Sequence, residues 1–416
     1  MNLQKIKRLT LYISGALFLS GCSSDGPLPV IDGSATFTGN SLKVIYEGQL
    51  MPAKTVEVTP VVEGSEYRFL AQGVTDLSQL SSIGLSGIGA APGILPGSPS
   101  TELTVKVSAN GSKYEFMGSG ASDYCTSYSY SGSLYGDSLI LNINDVNLAN
   151  TFLAGSVWQP VPFKQSGLKV ESTPFHLLWE LDPSAGIDVD LTGILEAVFT
   201  VPFIPTYHDT AYSSIAQLLS SSLQTVAFGE DGNIIVRYYS NVGGATQLVT
   251  SVGNTLQYVV LSDQYMKLYP NPTSLFGLWL VAQSDSEGIP DISFTKPSRS
   301  EEIGQEELKE FLVPILKSLL PSLLEMTKDG ITLEMSKTKD TLDVYLNTQV
   351  ILGLLQQVAQ AVAENPEVVQ KLLEQMGSNP QLAELLPYME KYLPQIDAIL
   401  KATTKIEIGL SFNSYK

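Results

Sequence analysis

The sequence predicts a mainly β protein with an α-helical C-terminal part. An antiparallel meander barrel or sandwich comes first, followed by a second β-rich domain with inserted helices. Three observations carry this. Short apolar or alternating runs recur between Gly, Asn, Ser and Pro from about residue 35 to 291. They are spaced too closely for crossover helices, so neighbouring strands are expected to pair antiparallel. The last hundred or so residues then switch to apolar positions at helical spacing.

The chain begins with a basic stretch, Met1 to Arg8, that has no acid, followed by an apolar run from Leu9 to Leu19 and the small residues Ser20 and Gly21. These are the three parts of a signal peptide, covering 1–21. The apolar run is shorter than the ~20 residues a spanning helix requires. Residues 22–34 combine turn formers and prolines with little to bury and read as a tether.

From 35 to 155 the runs Leu42-Lys-Val-Ile-Tyr-Glu, Lys54-Thr-Val-Glu-Val, Tyr67-Arg-Phe-Leu, Leu103-Thr-Val-Lys-Val, Lys113-Tyr-Glu-Phe-Met and Ser138-Leu-Ile-Leu-Asn-Ile form the first β-domain. A Gly/Pro-rich stretch, Ser81 to Ser100, interrupts it and reads as a mobile loop. The second domain covers 156–416. Its strands include Pro174 to Leu181, Leu223 to Phe228, Asn233 to Tyr239, Leu256 to Leu261, Tyr265 to Tyr269 and Phe276 to Val281, with one short helix in Tyr212 to Ser222. The turn Gly229-Glu-Asp-Gly-Asn233 carries a hairpin-forming Asp-Gly pair. Helical insertions are expected at about 301–330 and 347–402, where Ile351, Leu355, Val358 and Val362 make one stripe. Strands within 331–335, 341–346 and 405–412 complete the sheet.

Removing residues 1–21 takes Lys5, Lys7 and Arg8 from the 24 basic groups, leaving 21 against 42 acidic groups and a net charge of −21. Such a surface repels phosphate backbones, so nucleic acid is not an expected partner. The chain has two cysteines, Cys22 and Cys125.

Leu19-Ser-Gly-Cys22 resembles the lipobox of bacterial lipoproteins. That resemblance implies cleavage before Cys22, a diacylglyceryl group on its thiol, an outer-membrane location and no disulfide in the mature chain. With the lipobox, Tyr46-Glu-Gly-Gln, Lys54-Thr-Val-Glu-Val and Leu134-Tyr-Gly-Asp-Ser-Leu-Ile-Leu resemble Bacteroidetes lipoproteins with calycin-like (lipocalin-related) β-domains. The likeness covers roughly the first 150 residues and implies a barrel with a ligand mouth. Cys22-Ser-Ser-Asp25 is similar to the surface-export signals of such proteins, which implies a place on the cell surface. Asn365-Pro-Glu-Val-Val and Asn379-Pro-Gln-Leu-Ala resemble the Asn-Pro helical repeats of some co-chaperones, a spelling that helix capping also produces.

Candidate site residues are few. Alternation aligns Tyr124, Tyr128 and Tyr130 on one face, opposite Cys125, Ser127 and Ser129, as a surface that stacks on sugars or apolar ligands. It also puts His176 and Glu180 together, where they share a proton, hold a cation or make a structural hydrogen bond. His208-Asp209 is a loop pair. Asp182, Asp188 and Asp190 lack EF-hand spacing, and two histidines exclude a histidine-rich metal centre, so no metal is assigned. Gly84-Leu-Ser-Gly87 is no nucleophile elbow, Ser336-Lys-Thr-Lys339 has no Lys-Thr-Gly partner, and Gly87-Ile-Gly89 opens no dinucleotide fingerprint. No catalytic residue or cofactor is therefore expected. The expectation is a lipid-anchored binder of a glycan, a lipid, another apolar molecule or an envelope protein, with the 81–100 loop as a gate. An envelope assembly subunit and a hydrolase are the alternatives.

Overall fold

A computed structural model describes residues 33–76, 88–167, 169–202, 204–205, 212–242, 245–272, 322–364, 370, 373–374, 383 and 386–416. Cys22, His208, the strand expected at Phe276 to Val281 and both Asn-Pro pairs lie outside these residues; of the helix expected at about 301–330, 301–321 also lie outside and 322–329 are helical. The chain is mainly β, with 50% strand and 24% helix, and its described strands make two ten-stranded open sheets and two small ribbons rather than a closed barrel.

The first sheet contains β1 (Ala35–Thr38), β2 (Leu42–Tyr46), β3 (Gln49–Leu50), β4 (Lys54–Val62), β5 (Glu66–Asp76), β6 (Ile88–Ala91), β7 (Ser100–Asn110), β8 (Lys113–Gly120), β9 (Cys125–Leu134) and β10 (Leu139–Leu148). Its order is β1-β4-β5-β7-β8-β9-β10-β2-β3, with β6 on β5. Alternation sets the inward face: Val44, Tyr46, Val56, Val58, Tyr67, Phe69 and Leu141 are all nearly inaccessible. The two ends of the sheet are carried by one segment. A 3-10 turn at Gly39–Ser41 breaks it, so that β1 pairs β4 antiparallel while β2 pairs β10 in parallel. The expectation of antiparallel neighbours fails at that one pair. β2 and β10 are far apart in sequence, so no hairpin constrains their direction.

The loop expected to be a mobile gate is packed where it is described. Ile94 and Leu95 are 0% and 2% exposed and belong to the core, which fills the interior with side chains. Lys54 is 6% exposed, and its Nζ donates to the Pro92 carbonyl at 2.6 Å.

The second sheet is built from β11 (Val157–Pro160), β14 (Phe175–Leu181), β17 (Leu223–Phe228), β18 (Ile234–Val242), β19 (Ala245–Thr250), β20 (Leu256–Val260), β21 (Tyr265–Pro270), β22 (Ile331–Lys337), β23 (Thr341–Leu346) and β24 (Thr403–Ser414), while β12 (Lys164–Ser166) pairs β13 (Lys169–Ser172) and β15 (Ile204–Pro205) pairs β16 (Tyr212–Ser213) in two small separate ribbons. Its order is β19-β18-β17-β11-β24-β23-β22-β21-β20, with β14 also on β24. The helices are α1 (Leu191–Thr200), α2 (Ile215–Ser222), α3 (Thr348–Glu364), α4 (Leu386–Tyr392) and α5 (Ile396–Ala402). α2 starts at a capping box in which Ser214 and Gln217 satisfy each other's backbone N–H. α1 was not expected, although Asp190 caps it by accepting from Gly193 N. Between β23 and β24, α3 is tied to β24 by the Thr348 hydroxyl, which accepts from Ile406 N and donates to Ile406 O.

The two sheets share one core. Tyr46, Leu148 and Leu153 sit in the same cluster as Phe228, Tyr258, Met266, Leu333 and Phe412. Polar contacts lock the seam. Tyr46 Oη donates to Asp231 O at 2.5 Å, and Gly253 N donates to Gln49 Oε1 at 2.8 Å. Asn254 is buried at φ +62° and directs its Nδ2 toward the carbonyls of Gln49 (3.1 Å), Tyr46 (3.4 Å) and Leu50 (3.5 Å). The Gly229-to-Asn233 turn thus serves as an interface piece as well as a hairpin.

Candidate functional site at the seam of the two sheets

The tyrosine face divides. Tyr128 and Tyr130 are 5% and 9% exposed and form part of the core. Their rings cover glycines on β8: Tyr130 is paired with Gly118 and Tyr128 with Gly120, and a Cβ at either glycine would fall about 2.4–2.5 Å from the ring. Tyr130 Oη donates to Thr104 O at 3.1 Å. Simple alternation fails because the β9–β10 ladder shifts register between Asn144 and Asn147 and again before Leu148, with Asp145 at φ +54°. The first shift adds a residue to β10; the second adds Thr126 to β9 and turns the residues on its N-terminal side to the other face. Cys125 therefore joins Tyr128 in the core, where burial pushes its thiol pKa up, and Tyr124 turns toward the second sheet.

Tyr124 lies in a two-residue turn closed by both backbone bonds, Ser122 N to Cys125 O at 2.9 Å and Cys125 N to Ser122 O at 3.3 Å. Its carbonyl accepts from Ala149 N at 2.8 Å. Its ring lies against Gly97, where an added Cβ would meet Cδ2 at 2.2 Å. The buried Tyr269 of β21 has its hydroxyl pKa pushed up, by burial first and then by Tyr124. Here a pocket of about 230 Å³ opens between the sheets, bounded by Asp123, Tyr124 and 148–150 on one side and 259–261 on the other.

The pocket offers a mixed set of partners. Asp123 is exposed. Asn150 Oδ1 already accepts from Phe152 N at 3.0 Å, so its amide N–H groups are what it presents. Among the described residues β20 ends the sheet, its outer side bridged at Gln257 by Asn233, and its residues alternate between facing β21 and facing that outer edge. Leu261 N donates to Tyr265 O, whereas Tyr258 N turns away from β21 to Gly232 O. Val260 shares Tyr258's phase, so its N–H and C=O point to the free edge.

His176 pairs across the sheet and not along its own strand. Its Nε2 lies 2.8 Å from Glu407 Oε2, and Lys405 Nζ lies 2.9 Å from Glu407 Oε1. The ring stacks on Tyr345 at 4.3 Å and 15°. Both residues are in register with Gly409, whose missing side chain lets the two rings meet. Glu180 is exposed, in register with Lys405, and takes no part in the His176 bond. Sequence reasoning missed Glu407 because the pair is 231 positions apart. Asp182 and Asp190 cap helical turns through Ser184 N and Gly193 N, while the Asp188 carbonyl faces Tyr392 Oη at 3.4 Å.

Burial pushes the Glu407 pKa up, but hydrogen bonds from His176 and Lys405 outweigh it and hold the carboxyl below its usual 4.5. A depressed carboxylate pKa stabilises the fold fully above the unfolded value and loses that contribution as pH falls through the folded one. Glu407→Gln is therefore expected to cost about 1–2 kcal/mol at pH 7. It should also flatten the loss of stability below pH ~4.5, read by urea unfolding at pH 3.5, 4.5 and 7. Parallel wild-type and variant curves across that window would show that the pair contributes nothing.

Fold and seam together define a mainly β protein of two open sheets on one core, with a small polar pocket where they meet. Compared with known proteins, the chain matches no family model, no curated protein and no solved structure.

Proposed function

We propose that the chain is a cell-envelope lipoprotein, anchored at the outer membrane through Cys22, whose role is non-catalytic binding of a ligand at the seam between its sheets. The observation that carries the binding reading is the seam pocket, where an aromatic ring, a carboxylate, an amide and a free strand edge converge from both sheets. A concave, mixed lining of this kind marks a ligand site more often than an assembly face, which is flat and apolar. The packed interior of the first sheet favours the seam over a barrel mouth. Support for the anchor is the lipobox at Leu19 to Cys22, and no helix among the described residues is long and apolar enough to cross a membrane.

Thermal-shift screening of the chain from Ser23 onward, which keeps every strand and helix described above, tests the binding reading against oligosaccharides, fatty acids and bile-acid-like amphiphiles. A bound ligand at a hundred times its Kd adds about 2.7 kcal/mol. Silence across all three classes would defeat the proposal. For the anchor, Cys22→Ser is expected to abolish labelling by a fatty-acid probe and release the chain from membranes. A variant that stays membrane-bound would defeat that part alone.

A further inference from the structure

The geometry points to a ring-sized polyol, a single residue of a glycan, as the ligand of the seam pocket: it stacks on Tyr124 and exchanges hydroxyl hydrogen bonds with Asp123, Asn150 and the Val260 backbone. This rests on the binding reading above and names the chemical class that the same site takes.

Size gives the first argument. At about 230 Å³ the pocket falls below the roughly 300–1,000 Å³ of sites that enclose drug-sized ligands. A fatty acyl chain or a steroid-like amphiphile exceeds it, and one sugar ring matches its scale.

Polarity gives the second. Asp123 accepts hydrogen bonds, the Asn150 amide donates, and the Val260 edge supplies one donor and one acceptor. A sugar carries hydroxyls that donate and accept, set around a ring whose faces are C–H. The half-exposed Tyr124 ring provides the matching platform, and its support on Gly97 together with the closed turn at 122–125 holds it in place before any ligand arrives. An acyl chain would leave all of these polar groups unpaired.

The third argument removes the main competitor for a strand edge. A peptide adding as a strand needs successive outward N–H and C=O pairs. On β20 the next outward residue, Tyr258, is already committed to Gly232 O at 2.8 Å. Among the described residues the edge therefore presents Val260 alone, which suits a small ring and not an extended chain.

The test uses the chain from Ser23 onward and a panel of methyl glycosides of common hexoses and N-acetylhexosamines, read by saturation-transfer NMR and by titration. Saturation is expected to reach the ring protons of at least one glycoside. Tyr124→Ala should weaken that glycoside about tenfold or more, while Tyr124→Phe stays within about twofold because the ring face, and not the hydroxyl, makes the contact. Asn150→Asp keeps the oxygen that caps Phe152 N but removes the amide donors, so it should weaken binding about fivefold with an unchanged melting temperature. A glycoside that binds Tyr124→Ala as well as wild type lies elsewhere, which overturns this inference and leaves the binding reading intact. Fatty-acid binding that Tyr124→Ala abolishes overturns the ligand class but keeps the site. No binding by any glycoside, oligosaccharide, fatty acid or amphiphile overturns both.

Discussion

Lys54→Met is expected to stabilise the protein by roughly 1–4 kcal/mol at pH 7, on the scale found when buried ion pairs give way to apolar groups of similar volume. The amine is 6% exposed and donates to the Pro92 carbonyl. Burial lowers its pKa from 10.5 to about 7. That difference corresponds to roughly 5 kcal/mol of preference for the neutral form in the folded state. The sign is the reverse of a stabilising ion pair. Between about 7 and 10.5 the unfolded chain binds the proton and the folded chain does not, so stability rises with pH through that window. Below about 7 the penalty is present in full. Methionine fills the same unbranched path without a charge to desolvate. Guanidinium unfolding at pH 6.5, 8 and 9.5 should show wild type gaining stability with pH and the variant nearly flat. A less stable variant at pH 6.5 would mean that the bond to Pro92 outweighs the burial cost.

The second large effect belongs to the seam. Asn254→Ala is expected to cost roughly 2–4 kcal/mol. The loss of the Nδ2 donor leaves the buried Tyr46 carbonyl and the part-buried Gln49 and Leu50 carbonyls without it, at about 1–3 kcal/mol. The backbone at φ +62° adds about 1 kcal/mol for alanine, which lacks asparagine's tolerance of the left-handed region. Asn254→Gly separates the two contributions, since glycine accepts that φ and loses only the hydrogen bonds. Urea unfolding followed by tryptophan fluorescence and by far-UV circular dichroism reads both. If Asn254→Ala unfolds at the wild-type midpoint, the polar lock is incidental to a junction held by apolar packing.

How far the sequence carried depends on the range of the interaction. Strands set by local alternation were legible: Leu223–Phe228 and Phe175–Leu181 fall within a residue of the expected runs, and the alternation along β2 and β4 gave their buried sides. The Asp-Gly turn was legible as a turn, since its geometry is local. Its role against Tyr46 was not, because that contact joins positions 185 apart. The tyrosine face was misread for a different reason. A bulge changes the phase of a strand without changing its residue types, so Tyr124 and Tyr128 look alike in sequence and end on different sides. Lys54 shares the phase of Val56 and Val58 and so falls on the inward face, but its bond to the Pro92 carbonyl, 38 positions away, was not legible. The helix α1 was overlooked although both of its signals are local: Asp190 spells its cap, and Leu191, Ile194, Leu195, Val198 and Phe199 fall at helical spacing.

The position of β24 has a consequence for how the molecule comes to be. Thr403–Ser414 is the last strand of the described chain, yet it stands at the middle of its sheet, with β23 on one side and β11 and β14 on the other. During synthesis the strands on its two flanks leave the ribosome earlier and cannot be joined until it follows. The second half of the protein thus has a built-in waiting period, in which edges that will become interior stand open and depend on whatever escorts the growing chain.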